Sequence, residues 1–265
     1  QHRTTPAGET TYYHTAITPV IVAPGRSQVL SLAPEYIVPQ DGHDKQDCER
    51  VAAKRWLKHQ AGQFKPYSAT LLGDDLYSNQ PLCQLILEQK FNFILVCKPE
   101  SHQILYEWLD SLAASDDLDQ VTLRRWNGRF TEIIICRFVE AVPLRGGEEA
   151  LLVNWAEVTL THSKTGEQLY YNTFVTNHQL TEQTVIPIVE AGRARWKIEN
   201  ENNNVLKTKG YHLEHNFGHG QQHLASFLLS LNLLAFLSHT VLHLVDAKYR
   251  LLRQALGARR TFFND

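Results

Sequence analysis

The sequence contains no methionine, even at its first position, and only four cysteines in 265 residues. Lacking an ordinary translation start, it reads as a fragment or a processed product. Cys48, Cys83, Cys97 and Cys136 lie far apart and form no Cys-x-x-Cys pair. Cys97 and Cys136 close the apolar runs Asn92-Phe-Ile-Leu-Val-Cys97 and Glu132-Ile-Ile-Ile-Cys136, so the expectation is buried, reduced thiols in a cytoplasmic protein. Gln1-His-Arg-Thr-Thr has no signal-peptide core, and there is no internal repeat or low-complexity tract. Net charge is also scarce, at −2. The whole chain therefore carries no broad basic footprint, and any nucleic-acid binding requires clustered cations. With 43% hydrophobic and 20% charged residues, it has the composition of a globular protein able to bury a sizeable core.

What is present alternates. Residues 9–22 and Gln28-Val-Leu-Ser-Leu32, separated by Ala23-Pro-Gly-Arg-Ser27, predict a strand hairpin. Lys45 to His59 places Cys48, Val51, Ala52 and Trp56 at helical spacing. Ser68-Ala-Thr-Leu-Leu-Gly73 predicts a strand running into Asp74-Asp75, followed by a helix over about 79–90 and a buried strand from Phe91 to Cys97. This order predicts a mixed α/β sheet flanked by helices. Between about 117 and 176, β-rich runs are punctuated by Asn127-Gly128, Gly146-Gly147 and Thr165-Gly166, which predicts an antiparallel insertion. Helix resumes at Thr181 and runs past Pro187 to about Lys209, and a helical region over about 220–257 closes the chain. The expected division is 1–116 and 177–265 as one core, with 117–176 inserted.

His223 to Val245 is long enough to raise a transmembrane span. Ser226, Ser230, Asn232, Ser238, His239, Thr240 and His243 interrupt it, and each polar group would need a partner in lipid. The expectation is a buried core helix and no membrane.

Three features can carry chemistry: Asp74-Asp75 at a strand end, the helix Arg193-Ala-Arg195-Trp-Lys-Ile-Glu199-Asn-Glu201, and Gly210-Tyr-His-Leu-Glu-His-Asn-Phe-Gly-His-Gly220. Carboxylates on separate elements can converge on a hard cation such as Mg²⁺ or Mn²⁺, which takes oxygen ligands and supports phosphodiester chemistry. Taken singly, Asp74 equally suits a turn, and Glu199 a solvated pair with Arg195 at i−4.

Arg195-Trp-Lys-Ile-Glu199 followed by Lys207 resembles the Arg-Glu-Lys part of the Tyr-Arg-Glu-Lys signature of DDE insertion-sequence transposases. Gly73-Asp74-Asp75-Leu-Tyr77 resembles their second-aspartate motif, and the two occur in the family's order. The resemblance covers nearly the whole chain, including the β-rich insertion. It implies an RNase H-like fold, Asp74 and Glu199 as catalytic metal carboxylates, and Arg195 and Lys207 facing DNA phosphates. It further implies DNA as partner, at both element ends and target, and a homodimer within a synaptic complex.

The sequence departs from the signature at three points. Gly192 stands where the family has Tyr. Lys207 comes one residue late, which on a regular helix turns it by about 100°, so Glu201 competes with Glu199 and Asp75 with Asp74. The family's first aspartate belongs on a strand upstream of Thr10, and Asp41, Asp44 and Asp47 are poor substitutes. The chain alone is therefore expected to be inactive, leaving a DNA-binding remnant as an alternative.

His212, His215, His219 and His223 fall at steps of three and four that could gather zinc for a hydrolase, with His215 and His219 the candidate ligands. Gly210, Gly218 and Gly220 argue against a continuous helix there and favour a structural or DNA-facing role. Arg193, Arg195, Lys197, Lys207 and Lys209 surround the proposed glutamate, and a second basic cluster runs from Lys248 to Arg260. Both suit DNA, although solvated helix faces are common for such charges. Trp126 and Trp155 could stack on a base or pack in the core.

Overall fold

The computed structural model describes residues 2–4, 8, 10–12, 14–37, 48–215, 217–218 and 220–257, the first two strands by their backbone alone. Contacts divide the chain into two compact units, Gln1–Arg55 with Trp196–Asp265, and Trp56–Arg195.

In the first unit, three short antiparallel pairs form. β1 (His2–Thr4) pairs with β2 (Thr10–Tyr12), β3 (Thr15–Ile17) with β6 (Glu35–Ile37), and β4 (Val20–Ile21) with β5 (Leu30–Ser31). The expected hairpin is the β4–β5 pair, its turn closed by Arg26 N–H donating to the Ala23 carbonyl at 3.3 Å. Pro19, without an N–H, separates β3 from β4.

Helix α1 (Glu49–Phe64) begins in the first unit and ends in the second. It lies several residues later than the expected Lys45–His59. Cys48 and Val51 are exposed, whereas Ala52, Ala53, Trp56, Leu57 and Ala61 are buried.

The second unit holds one six-stranded sheet. Its strands are β7 (Thr70–Gly73), β8 (Asn92–Val96), β9 (Asp119–Trp126), β10 (Thr131–Pro143), β11 (Leu152–His162) and β12 (Gln168–Thr176), in the spatial order β7-β8-β12-β11-β10-β9. β7 and β8 are parallel, joined through α2 (Gln80–Glu88), and every other pairing is antiparallel. The architecture is thus the expected mixed sheet flanked by helices. Within it, residues 117–176 do not stand apart, because β12 pairs with β8 from Phe174↔Val96 to Thr176↔Ile94. Thr173 to Thr176 are all buried, and a strand buried on both faces belongs in the middle of a sheet.

Alternation divides the strands between two faces. Ile94, Val96, Ile134, Cys136, Phe138, Ala156, Val158 and Phe174 pack with Val185 and Val189 of α4 (Val185–Arg193). Trp155, next to Ala156, points the other way and meets Tyr106 of α3 (Gln103–Ala114) edge-on at 6.4 Å. Burial pushes the Cys83 thiol up to about 12 and Cys136 to about 11, which leaves both as inert core side chains.

Helix α4 starts at Val185, not Thr181. The Thr181 hydroxyl accepts from the Thr184 N–H at 3.2 Å, and this local turn occupies the residues before the helix. Near its end, α4 lies so close to the sheet that a Cβ on Gly192 would sit 2.8 Å from Phe174 Cε1 and 2.9 Å from Ile94 Cγ2.

The first unit is completed by α5 (Asn204–Thr208), α6 (Leu224–Val245) and α7 (Ala247–Leu256), around a core of Val29, Val205, Leu206, Tyr211, Leu233 and Phe236. Among the described residues α6 is the one helix long and apolar enough to cross a membrane. It is not the buried core helix the composition predicts, because only Leu233, Phe236 and Thr240 are buried. A single stripe is buried in the unit's core, while Ser226, Ser230 and His239 on other parts of the helix surface meet Tyr36 and Tyr211.

Gly192→Ala should cost about 1–3 kcal/mol through overpacking, seen as a lower urea midpoint at unchanged slope. An unchanged midpoint would mean that helix and sheet stand farther apart than described.

Candidate metal and nucleic-acid site

The two acidic residues after β7 have different surroundings. A Cβ on Gly73 would lie 2.9 Å from Leu95 Cδ2 and 3.0 Å from Tyr77 Cβ, so the chain turns tightly against its neighbours before Asp74. Asp74 is exposed at the strand's C-terminal end, where one carboxylate oxygen accepts from the Leu76 N–H at 3.1 Å. Ligands of open α/β sheets bind outside such carboxyl ends.

Asp75 is engaged on both oxygens. Oδ1 accepts from the Lys98 N–H at 2.7 Å and Oδ2 from the Ser101 hydroxyl, with His102 Nε2 at 3.6 Å from Oδ1. The same Nε2 lies 2.7 Å from the Ser78 hydroxyl, and both Ser78 and His102 are buried. Asp75 therefore ties the loop after β7 to the start of α3, leaving Asp74 as the ligand candidate. Burial lowers the His102 pKa, opposed by the Asp75 charge and by a backbone hydrogen bond at Leu144.

The second cluster lies on a helical run that changes pitch. After α4 comes a 3₁₀ turn (Ala194–Trp196), then a π turn (Ile198–Asn203), then α5. The Asn204 N–H donates to the Glu199 carbonyl five residues back. A π turn takes up one residue more than an α turn. The eight residues from Glu199 to Lys207 therefore rotate about as far as seven on an α-helix, roughly 700°. That returns Lys207 to within about 20° of Glu199 instead of about 80° away. The extra residue that displaced Lys207 on a regular helix is absorbed, and the sole trace of this in the sequence was the spacing itself.

Two side chains anchor this turn. Lys197 is buried and its ammonium donates to the carbonyls of Ala23 and Arg26. Asn202 is fully buried and accepts from the Ser31 hydroxyl at 2.8 Å. Lys197 is thus committed to the first unit's hairpin turn, a role that no local pattern signalled. Arg193 is also engaged, its guanidinium lying 4.4 Å from the centre of the Tyr170 ring, a cation–π contact. Lys207 and Lys209 are exposed, Lys207 with Glu214 at 2.8 Å, and Arg195 is partly exposed.

Glu199 is exposed. Glu201, by contrast, lines a cavity of about 140 Å³ together with His239, Thr240, His243, Tyr249 and Arg253. The π turn thus sends its two glutamates to different surroundings, and Glu199 is the one presented to solvent. Asp74 and Glu199 are both exposed oxygen donors of the kind Mg²⁺ or Mn²⁺ takes, and they belong to different compact units. Among the described residues no three His, Cys, Asp or Glu side chains are arranged as a metal site.

The histidine-rich segment is irregular over its described residues, with His212 at φ 54° and His215 N–H donating to the His212 carbonyl at 2.9 Å. The described stretch from His212 to His215 therefore does not follow regular helical spacing. His219, together with Asp41, Asp44, Asp47, Arg259 and Arg260, lies outside the described residues. Trp155 is core, whereas Trp126 is 64% exposed at the end of the edge strand β9. Gly192, where the signature has Tyr, occupies a spot with no room for a ring against Phe174.

No protein-family profile and no curated protein sequence matches the chain.

Asp75→Asn should lose about 1 kcal/mol of stability by weakening its charge-assisted hydrogen bonds from the Lys98 N–H and the Ser101 hydroxyl, while Asp74→Asn stays within about 0.5 kcal/mol. Equal effects on the urea midpoint would contradict the division of roles. The lowered folded pKa of His102 also has a sign. The unfolded chain takes up the proton first, so this contribution is complete above about pH 6.5 and lost as pH falls toward the folded value. His102→Gln should flatten the decline in stability between pH 7.5 and 5.5, and an unchanged decline would show that His102 is not its source.

Proposed function

We propose that this chain is the catalytic core of a DDE-type insertion-sequence DNA transposase on an RNase H-like fold, acting in the cytoplasm on element ends and target DNA. The observation that carries it is the π turn. It brings the signature glutamate, Glu199, and the late-placed Lys207 back to one helix face, and it turns the competing Glu201 toward a cavity. Asp74, exposed after a parallel strand while Asp75 is consumed by the fold, supplies the second carboxylate.

In this scheme Asp74 and Glu199 would each offer a carboxylate to Mg²⁺ or Mn²⁺. When bound, such ions activate the attacking oxygen and stabilise the leaving one in phosphodiester hydrolysis and strand transfer. Arg195 supplies a planar fork and Lys207 a point charge for the phosphates beside the cleaved bond. DNA displaces Glu214 from Lys207 on binding. Lys197 and Arg193 support the geometry from positions off the DNA. The chain's homodimer would form within the synaptic complex.

The test is the salt dependence of duplex binding, read by fluorescence anisotropy. Each phosphate contact contributes about 0.9 to the slope of log K against log salt. Arg195→Ala and Lys207→Ala should each lower the slope by about one contact, while Lys197→Met at matched stability leaves it unchanged. DNA binding without salt dependence, or equal loss in all three variants, would overturn the assignment.

A further inference from the structure

The cavity that receives Glu201 lies within the first unit and takes no part in the chemistry assigned to Asp74 and Glu199. Its walls come from the loop before β5 (Gln28, Val29), the π turn (Glu201), α6 (Phe236, Thr240 and two imidazoles) and α7 (Tyr249, Arg253). Val29, Phe236 and Thr240 are buried, whereas Glu201, His239, His243, Tyr249 and Arg253 are half-buried. The cavity thus combines an apolar floor bearing one hydroxyl with a rim of charged and polar groups, the make-up of a small-molecule site.

Thr240 Oγ1 is buried without a hydrogen-bond partner. A helical threonine can return its hydroxyl to the carbonyl four residues back, and a buried hydroxyl left unpaired is costly. An occupant of the cavity is the partner within its reach. At the rim, no ion pair joins Glu201 to Arg253, although both line the same space. Opposite charges half-removed from water attract strongly, so a carboxylate and a guanidinium held apart across a cavity suit a ligand that carries both charges. With five N–H donors, Arg253 can serve a ligand carboxylate in addition to a contact within the protein.

The walls are set in advance. His239 Nδ1 lies 2.8 Å from the Tyr211 hydroxyl. The Asp246 carboxylate caps α7, accepting from the Lys248 and Tyr249 N–H groups at 2.8 and 3.0 Å. The four-residue step from Tyr249 to Arg253 then puts both on one helix face. Such preorganisation lowers the ordering cost of binding. The volume of about 140 Å³ is close to the roughly 150 Å³ that takes benzene, a molecule of about six heavy atoms. A phosphate dianion of that size would meet the Glu201 carboxylate, and a simple cation would meet the Arg253 guanidinium.

We infer that the cavity binds a small free α-amino acid, of the size of glycine, alanine or serine. Its ammonium donates to Glu201 and to the Thr240 hydroxyl, its carboxylate accepts from Arg253, and its α-carbon lies over Val29 and Phe236. The inference is independent of any DNA chemistry.

Isothermal titration of the full chain with L-alanine should show one saturable site. Glu201→Gln and Arg253→Gln should each weaken binding by about tenfold or more, as expected for a lost hydrogen bond to a charged group. Thr240→Val should weaken it several-fold without lowering the melting temperature, because it removes an unpaired buried hydroxyl at constant shape. Acetate, inorganic phosphate and glycine betaine, each lacking the ammonium donors, should give no saturable heat. In the wild-type chain the alanine methyl protons should show nuclear Overhauser effects to the Phe236 ring, which keeps the test decisive if a variant fails to fold. Absence of alanine, glycine and serine binding up to about 10 mM, tenfold above a millimolar dissociation constant, would overturn the inference. So would acetate, phosphate or betaine binding as tightly as alanine, or alanine binding that neither Glu201→Gln nor Arg253→Gln weakens.

Discussion

The buried ammonium of Lys197 and the buried amide of Asn202 tie the helical segment that carries Glu199 to the strand hairpin of the first unit. Both side chains must reach the strand hairpin, Lys197 to the carbonyls of Ala23 and Arg26 and Asn202 to the Ser31 hydroxyl. A buried charge or amide that loses its partners costs more than a widened helical turn. The helix therefore accommodates the anchors by opening into a π turn, and the exposed positions of Glu199 and Lys207 follow from that. π turns are rare and concentrate at functional sites, which accords with the segment having an exposed carboxylate and an exposed cation.

The acidic pair after β7 shows the same separation of duties by different means. Two adjacent aspartates have equal intrinsic chemistry, and their neighbours decide which can be a ligand. Asp75 accepts a backbone N–H and a hydroxyl and lies beside a buried imidazole, so its oxygens serve the fold. Asp74 makes one turn-type contact and remains exposed. At the other cluster, Glu201 enters a cavity with His239, His243 and Arg253 while Glu199 stays at the surface.

Much of this was legible in the residues, and the remainder depends on contacts distant in sequence. Alternating β-branched runs and Gly-containing turns located the strands of the large sheet. They did not reveal that 117–176 joins the same sheet as β7 and β8, because that follows from β12 pairing with a strand about eighty residues earlier. Helix α4 begins at Val185 and not at Thr181, because the Thr181 hydroxyl serves a local turn with Thr184. Lys197 looked like one more cation in a basic cluster, and only carbonyls more than 170 residues away reveal its role. The apolar composition of α6 suggested a core helix, but periodicity cannot tell whether one stripe or two will find partners. The candidate carboxylates were legible as pairs, and the choice within each pair required the structure.

The central proposal is that Asp74 and Glu199, each exposed on its own compact unit, are the carboxylates that take metal, and iron-directed cleavage tests it most directly. Fe²⁺ substituted for Mg²⁺ and treated with ascorbate and peroxide generates radicals that cut the backbone beside the bound ion. The account predicts cuts near Asp74 that Asp74→Asn abolishes and cuts near Glu199 that Glu199→Gln abolishes, both suppressed by excess Mg²⁺. Cuts near neither, or cuts near Glu201 that survive Glu199→Gln, would contradict it.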